Sequence, residues 1–181
     1  MTFSATTRLK FFVETQSLWD RVAENGIMFA FNPQLSQFSE LSRSPYLTDD
    51  FITDEIAKIQ REFDFIIVLE YFDISLCVLR HKIGWSMEDI QYLKINSIYD
   101  KGDSGKTWLN GSLRDNFHKL NNGDIMLYNK MNRTLWQEVD RIGRSKIFEE
   151  EKELQQLNLR LERRCTNGTY KVCYHLPQRG M

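Results

Sequence analysis

The sequence has little of the residue types that define several protein classes. Of 181 residues, only 3 are proline, 3 are cysteine and 9 are glycine. Collagen-like chains and small disulfide scaffolds need far more of these residues, so both classes are excluded. Lysine and arginine number 24 against 25 acidic residues, which gives a formal net charge of −1. With no excess of basic charge and no basic block, no nucleic-acid partner is indicated.

Long hydrophobic runs are also missing. The stretch Phe65–Leu69, which no other uncharged apolar stretch exceeds in length, is far shorter than the ~18 residues that cross a bilayer. Charged residues interrupt every apolar run in the first thirty positions, so we expect no signal peptide, anchor or membrane span in this sequence.

Metal-ligand spacings are absent too. No C-x-x-C pair occurs, and no histidine has an acid or cysteine partner at ligand or triad spacing. No metal site is therefore predicted, and each histidine is interpreted as a surface residue. The residues concerned are Cys77, Cys165, Cys173, His81, His118 and His175.

The remaining composition is that of a chain that buries a core. Hydrophobic residues make up 41% and charged residues 27% of a length that suits one domain. We therefore expect residues 1–181 to form a single domain.

Local patterns predict alternating helices and strands, which is typical of an α/β fold. Helices are predicted over Ala5–Val22 and, with Thr48 as cap, over Asp49–Phe63. The apolar run Phe65–Leu69 predicts a strand buried on both faces, and a further helix then ends at Gly84.

Weaker patterns complete this assignment. Ser86–Asp89 resembles a capping box, and Tyr92–Ile95 alternates like a second strand. Loops are predicted over Asn32–Tyr46 and Ser97–Ser112, and the tail Asn167–Met181 is predicted to lie on the surface.

The last third reads as helix. Apolar residues recur at steps of three and four on both sides of Gly143, which predicts either one long amphipathic helix or a kinked pair. They are Leu135, Val139 and Ile142, then Leu154, Leu157 and Leu161.

Two sites invite a functional interpretation. Glu70, Tyr71 and Asp73 follow the predicted strand, at the sheet edge where ligands usually bind. The structural alternative, which the residues alone favour, is that Asp73 caps the next helix and Glu70 accepts hydrogen bonds from a loop. Gly102–Thr107 ends like a phosphate-binding loop, but only two residues separate its first glycine from the Gly-Lys pair. That spacing predicts an ordinary solvent loop.

Three N-x-Ser/Thr tripeptides begin at Asn110, Asn132 and Asn167. Each is an acceptor pattern for N-linked glycans. Together they favour the secretory pathway, where the cysteines could also oxidise.

Three blocks of the sequence, taken in order, resemble the galactose-3-O-sulfotransferase family, which includes galactosylceramide sulfotransferase. The most specific is Phe63–Leu76, with its Glu-Tyr-Phe-Asp-x-Ser-Leu core. Trp85–Asn96 and Leu127–Trp136 are the others, and a charged helix then runs to Cys165. The resemblance covers roughly residues 45–170. Several blocks in the right order are harder to obtain by chance than one motif, which makes the resemblance more specific.

The resemblance implies a helix-rich α/β protein with a partial P-loop-like sulfotransferase fold, a few parallel strands and a long C-terminal amphipathic helix. It implies a type II Golgi membrane enzyme that transfers sulfate from 3′-phosphoadenosine 5′-phosphosulfate to the 3-hydroxyl of galactose on a glycolipid or glycan. No metal is implied. Glu70, Tyr71 and Asp73 would lie nearest the acceptor or donor pocket, and Asn132 would carry a glycan.

The sequence also departs from the family. Met1–Thr48 matches neither the lysine- and threonine-rich loop that cradles the 5′-phosphosulfate nor the element that binds the 3′-phosphate, so we expect an incomplete domain without the donor-binding loop. Gly84 replaces a family cysteine, which excludes a Cys165 disulfide to that position. The alternative function is an inactive family fragment whose helix Leu135–Arg164 pairs with another chain.

Overall fold

The computed structural model describes residues 31–39, 44, 46–93 and 111–166, with the side chains of 112, 113 and 166 left aside. Five α-helices lie in this part: α1 (Asp49–Glu62), α2 (Phe72–Ile83), α3 (Gly111–Leu120), α4 (Asn122–Ile142) and α5 (Arg144–Thr166). Two short 3-10 turns, Leu35–Gln37 and Leu69–Tyr71, precede α1 and α2. The helix-rich character expected from the sequence is confirmed.

By its internal contacts the chain divides into two compact units, residues 1–66 with 99–131, and 67–98 with 132–181. In the first unit the buried apolar side chains come from the segment 31–37, which ends in the first 3-10 turn, and from α1, α3 and α4. They include Phe31, Leu35, Ile52, Ile56, Ile59, Leu120, Leu127 and Met131.

The helix predicted over Asp49–Phe63 is confirmed within one residue as α1. The Thr48 hydroxyl accepts a hydrogen bond from the Phe51 N–H at 3.3 Å, and Asp49 and Asp50 lie in the first turn near the positive end of the helix dipole.

A reciprocal cap joins the first 3-10 turn to the start of α4. The buried side chain of Asn32, in the left-handed region at φ +44°, accepts hydrogen bonds from the Gly123 N–H at 2.8 Å and the Asp124 N–H at 3.3 Å. In return the Asp124 carboxylate accepts from the N–H groups of Gln34 and Leu35 at 2.8–3.1 Å. Burial raises the pKa of Asp124, although these backbone hydrogen bonds act against the rise. The segment predicted as a loop thus contains an ordered turn.

In the second unit, α2 packs against α5. The buried apolar residues of this unit include Val68, Ile74, Cys77, Val78, Met87, Ile90, Leu135, Val139, Ile147 and Leu154. Helix α2 ends as predicted at Gly84, whose φ of +74° suits glycine, and the Trp85 N–H donates to the Arg80 carbonyl at 3.0 Å.

The last third forms a broken pair of helices, the second of the two predicted alternatives. Gly143 adopts φ +114° between α4 and α5, a conformation that glycine reaches without steric penalty. The side chains of Leu135, Val139, Ile147 and Leu154 are fully buried. Part of the predicted apolar stripe is therefore packed within the chain, whereas Ile142, Leu157 and Leu161 are only half-buried.

The prediction that Phe65–Leu69 forms a strand is wrong. Val68 is extended, but residues 65–68 form no strand, and Leu69 begins a 3-10 turn. The Val68 N–H and carbonyl instead contact the buried Ser75 hydroxyl of α2, at 3.2 and 3.3 Å. A helix side chain thus satisfies backbone groups that a neighbouring strand would otherwise satisfy.

The second predicted strand is not formed either as far as it can be followed. Tyr92 and Leu93 have no strand partner, and the rest of that segment lies outside the described residues. Before it, Ser86 and Asp89 form the predicted capping box: the Ser86 N–H donates to the Asp89 carboxylate at 2.9 Å, and the Asp89 N–H donates to the Ser86 hydroxyl at 3.3 Å. The box closes a turn over residues 87–90 rather than a helix.

Several predictions fall outside the described residues. These are the helix Ala5–Val22, the loop from Ser97 to residue 110 with Gly102–Thr107, and the tail from Asn167. The last two residues of that predicted loop belong to α3, so the prediction is wrong there. Within the described helices, none is long and apolar enough to cross a membrane.

Candidate functional site

The candidate residues Glu70, Tyr71 and Asp73 lie where the extended segment turns into α2. Glu70 and Tyr71 belong to the 3-10 turn, and Asp73 lies in the first turn of the helix. The Tyr71 N–H donates to the Val68 carbonyl at 3.0 Å, and this closes the turn. The three residues are therefore presented by a tight, hydrogen-bonded connection.

Asp73 is held by two side chains that the motif did not reveal. Its Oδ1 accepts a hydrogen bond from the Tyr92 hydroxyl at 2.7 Å, and its Oδ2 accepts one from the Gln155 amide of α5 at 3.3 Å. The helix cap of α2 is Tyr71, with no side-chain hydrogen bond, so the interpretation of Asp73 as the capping residue is wrong. Asp73 therefore links α2 to α5 through Gln155, and to the segment after the capping box through Tyr92.

The charge of Asp73 affects its neighbours. Burial raises the pKa of Tyr92, and the hydrogen bond to Asp73 raises it further, so this hydroxyl remains a donor at neutral pH. Burial also raises the pKa of Glu151, and the negative charge of Asp73 acts in the same direction. We call this group the Asp73 cluster. It contains two acids and two hydrogen-bond donors: Asp73, Glu151, Tyr92 and Gln155.

Glu70 differs from Asp73 because its side chain is free. It is exposed and, within the part of the chain that the structure describes, it forms no hydrogen bond or ion pair. The interpretation of Glu70 as an acceptor for a neighbouring loop therefore finds no partner in that part. A free carboxylate beside an ordered acidic cluster is available to a ligand.

The Tyr71 ring packs into an aromatic group. It meets Trp136 of α4 edge-on, with centroids 5.1 Å apart, and Trp136 in turn meets Phe148 of α5 at 6.5 Å. The Arg144 guanidinium lies 5.6 Å from the centroid of the Trp136 ring. These contacts fix the orientation of the turn that carries Glu70.

His81 is not the isolated surface residue that the sequence predicts. Its Nε2 lies 2.9 and 3.0 Å from the two carboxylate oxygens of the buried Glu150, which Arg80 also approaches at 3.5 Å. The two partners are 69 residues apart, so no local spacing could show the pair. His118 is exposed, as predicted, and His175 lies outside the described residues.

The cysteines differ sharply in state. Cys77 is free and fully buried in α2, and burial together with the charge of Glu150 raises the pKa of its thiol to about 12. Cys165, near the end of α5, is disulfide-bonded. No group of three or more His, Cys, Asp or Glu within the described segments is arranged to hold a metal ion.

Asn132, the glycan candidate within the described residues, lies in the middle of α4. Its side-chain Oδ1 is buried and has no hydrogen-bond partner in the described structure. The acceptor patterns at Asn110 and Asn167 begin outside the described residues.

Comparison with known proteins extends the resemblance beyond the three blocks of the sequence. The sequence profile of the galactose-3-O-sulfotransferase family matches residues 2–175. Galactosylceramide sulfotransferase of Mus musculus is 32% identical over 121 residues, which is 67% of this chain and 28% of the relative. Galactose-3-O-sulfotransferase 3 of Homo sapiens is 30% identical over 158 residues, 87% of this chain and 36% of the relative. No solved structure shows significant similarity to the chain.

The chain belongs to the galactose-3-O-sulfotransferase family. It spans about a third of the length of these relatives. The matched range includes the amino-terminal segment that the sequence blocks left outside.

Proposed function

We propose that this protein acts in the transfer of sulfate from 3′-phosphoadenosine 5′-phosphosulfate to the 3-hydroxyl of galactose on a glycolipid or glycan. The observation that carries the proposal is the family match over residues 2–175. Because the chain corresponds to about a third of its relatives, we assign the activity to the whole protein and regard the chain as part of one sulfotransferase domain.

The reaction requires positioning and charge neutralisation more than covalent chemistry by the protein. The galactose 3-hydroxyl oxygen attacks the donor sulfur, and the bond from sulfur to the 5′-phosphate oxygen breaks. 3′-Phosphoadenosine 5′-phosphate leaves with that electron pair, and a base takes the hydroxyl proton. In-line placement of the two oxygens supplies much of the rate, by analogy with phosphoryl transfer.

The structure supports different roles for the candidate residues in this reaction. Glu70 is exposed and unpaired among the described residues, so its carboxylate is available to take the proton of the acceptor hydroxyl. Asp73 is occupied by Tyr92 and Gln155 and would act as a positioning residue. Tyr71 would hold the turn through its contact with Trp136.

The role of Glu70 is tested by the exchange Glu70→Gln at the matching position of a complete relative. Loss of a general base lowers turnover about 100-fold or more, while an exchange on the exposed surface leaves the fold intact. Glu62→Gln, at the exposed end of α1, is the matched control. Unchanged turnover and melting temperature in the Glu70 variant would exclude the role.

Donor binding is tested by thermal melting of the chain with 3′-phosphoadenosine 5′-phosphate. Ligand at ~100 times its dissociation constant adds about 2.7 kcal/mol to the free energy of unfolding. For a chain of this size that is a rise of roughly 5–11 °C. Such a rise supports assays of sulfate transfer to galactosylceramide and to galactose-terminated glycans, and no rise would mean that this chain alone does not bind the donor.

We also propose that the protein resides in the Golgi and carries a glycan on Asn132. The family membership and the N-R-T pattern at Asn132 support both points. Protein expressed in a secretory host should lose one step of glycosidase-sensitive mobility on Asn132→Gln. Asn129→Gln, at an exposed position of α4 outside any acceptor pattern, serves as the control, and an unchanged pattern in the Asn132 variant would exclude this residue as the glycan site.

A further inference from the structure

The fold around Asn132 leaves part of this side chain unsatisfied. Asn132 lies near the middle of α4 and is half-buried. Its Oδ1 is enclosed by protein and has no hydrogen-bond partner in the described structure. A buried polar atom in this state has lost its hydrogen bonds to water without replacement, which destabilises the folded chain. The packing of α4 therefore gives no reason for an amide at this position.

The nitrogen of the same amide is in a different environment. Nδ2 is not among the enclosed side-chain atoms that lack a partner, and no hydrogen bond from it is described. The nitrogen is therefore less enclosed than the oxygen. N-linked glycans are attached to asparagine through this nitrogen. A glycan already present on Asn132 is thus compatible with the folded helix, because its point of attachment is not sealed inside the protein.

The conformation of the acceptor pattern is the opposite of what glycan transfer needs. Asn132, Arg133 and Thr134 all lie within α4, whereas acceptor patterns are typical of surface loops. At 3.6 residues per turn, side chains two positions apart leave a helix about 200° apart around its axis. The Asn132 amide and the Thr134 hydroxyl therefore point in nearly opposite directions, and Thr134 is half-buried as well. One enzyme site cannot engage both groups while the helix is formed.

Packing also holds α4 closed after the acceptor pattern. Leu135 and Val139, which follow it on the same helix, are fully buried. Unwinding the helix at Thr134 exposes Leu135 to water, and the loss of this buried apolar surface is unfavourable. Local openings that expose core residues are rare compared with fraying at helix ends. The folded chain can therefore carry a glycan on Asn132 but is a poor acceptor for one.

We propose that Asn132 receives its glycan only while α4 is unformed, so that glycan transfer competes with the folding of this helix. The proposal rests on the glycan assigned to Asn132 under the proposed function and adds the order of the two events. The donor is an oligosaccharide joined to a lipid diphosphate. Nδ2 bonds to C1 of its first sugar, the bond from C1 to the diphosphate oxygen breaks with its electron pair on that oxygen, and one amide proton passes to a base of the transferase.

The order is tested by offering two substrates to purified oligosaccharyltransferase with a lipid-linked oligosaccharide. One is the folded chain made without glycans in a bacterial host, and the other is a synthetic peptide of residues 128–138. Glycopeptide mapping follows Asn132 in both. We expect transfer to the peptide and transfer to the folded chain that is at least tenfold slower.

Two outcomes of this assay would contradict the proposal in different ways. Equal rates for the peptide and the folded chain would overturn the order while leaving the glycan on Asn132 in place. No transfer to the peptide would remove the glycan assignment itself, and this proposal with it. Sulfate transfer is assayed separately and is not affected by either outcome.

A pair of variants at Gln137 tests whether the residual transfer proceeds through opening of α4. Gln137 is exposed and lies outside the acceptor pattern. In the folded chain, Gln137→Gly should be modified about fivefold faster than Gln137→Ala, because glycine is the less favourable of the two inside a helix. Peptides that carry the same two exchanges should not differ. Equal rates in the two folded variants would overturn the opening route.

Thermal melting supplies a readout that involves no glycan. Asn132→Ala removes the unpartnered oxygen and improves helix propensity, so the unglycosylated chain should melt roughly 2–4 °C higher. Asn158→Ala is the matched control in α5, since the Asn158 Oδ1 accepts a hydrogen bond from the Tyr92 N–H at 3.0 Å, and it should melt lower. A decrease for Asn132→Ala would show that the fold needs this amide, which would overturn the premise of the proposal.

Discussion

At the scale of single residues, the least predictable part of the structure is the reciprocal cap around Gly123. Asn32 and Asp124 are 92 residues apart, yet each satisfies N–H groups at the start of the other's segment. The sequence predicts only a proline-containing loop here, because capping patterns are recognised by local spacing. Long-range pairs such as this one, or His81 with Glu150, have no fixed spacing in the sequence. They can be identified only from the three-dimensional structure.

The first prediction concerns Gly123→Ala. A Cβ at this position would lie 2.7 Å from Leu35 Cδ2 and 2.9 Å from Asn32 Oδ1, both in buried side chains. Overpacking of this kind costs about 1–3 kcal/mol, which exceeds the helix-propensity gain of at most about 1 kcal/mol. Thermal melting should show a decrease of roughly 2–8 °C.

Asn129→Ala, at an exposed position of the same helix α4, is the control for helix propensity and should leave the melting temperature the same or slightly higher. A Gly123 variant that melts at or above the wild-type temperature would show that the two segments do not approach each other as described.

At the scale of elements, most helices were predictable and strands were not, but α3 begins at Gly111, inside a predicted loop. Helix α1, the Gly84 end of α2 and the break at Gly143 follow from caps, periodicity and glycine, which act within a few residues. The apolar run Phe65–Leu69 also has a clear local pattern, but a strand needs a partner that the local pattern does not specify. In the described structure the Ser75 hydroxyl takes part of that role.

The second prediction therefore concerns Ser75→Ala. Ser75 is fully buried, and its removal leaves the Val68 N–H without a described partner, while the Val68 carbonyl still accepts from the Tyr71 N–H. Leaving a buried donor unsatisfied costs about 1–3 kcal/mol. Denaturant unfolding should show a loss in this range, whereas Ser145→Ala at an exposed site of α5 should have little effect. Equal effects of the two exchanges would contradict the role given to Ser75.

The third prediction concerns the ion pair between α2 and α4. Glu138 contacts Lys82 at 3.2 Å and Arg141 at 2.8 Å. Burial alone would raise the pKa of Glu138, but these two hydrogen-bonded cations outweigh it and the pKa is lowered below 4.5. The stabilisation is therefore present above pH ~4.5, the ordinary value for this group, and is lost as the pH falls through the lower folded-state pKa.

Glu138→Gln should accordingly lower the free energy of unfolding by about 1 kcal/mol at pH 7. The difference from wild type should shrink as the pH is taken from 5 towards 3. Glu149→Gln, an exposed residue of α5 without a described ion pair, should show no such pH-dependent difference. A loss in the Glu138 variant that stays constant across this pH range would contradict the assignment.

At the scale of the whole molecule, the family was predictable because three ordered blocks carried it, and the profile match over residues 2–175 confirms it. The candidate site was predictable only in part. Glu70, Tyr71 and Asp73 stand in the most specific block, but Tyr92 and Gln155 reach Asp73 from 19 and 82 residues away. Their contribution depends on the packing of α5 against α2, which a linear motif does not describe.

The fourth prediction concerns solubility and follows from the charge of the chain. With a net charge of −1 at pH 7 and an isoelectric point near 6.3, the molecules repel each other weakly at neutral pH. Precipitation by polyethylene glycol should require the least polymer near pH 6 and clearly more at pH 8.5. A flat profile over this range would show that exposed apolar side chains, rather than net charge, control association.

The burial of Cys77 gives the protein an internal reporter of its own unfolding. A thiol with no exposed surface and a pKa near 12 presents almost no thiolate to an alkylating reagent while α2 remains packed. Modification at this position, followed by peptide mass mapping, then proceeds only through molecules in which α2 has opened. The rate of alkylation would thus report how often α2 opens, with no cysteine having to be introduced by mutation.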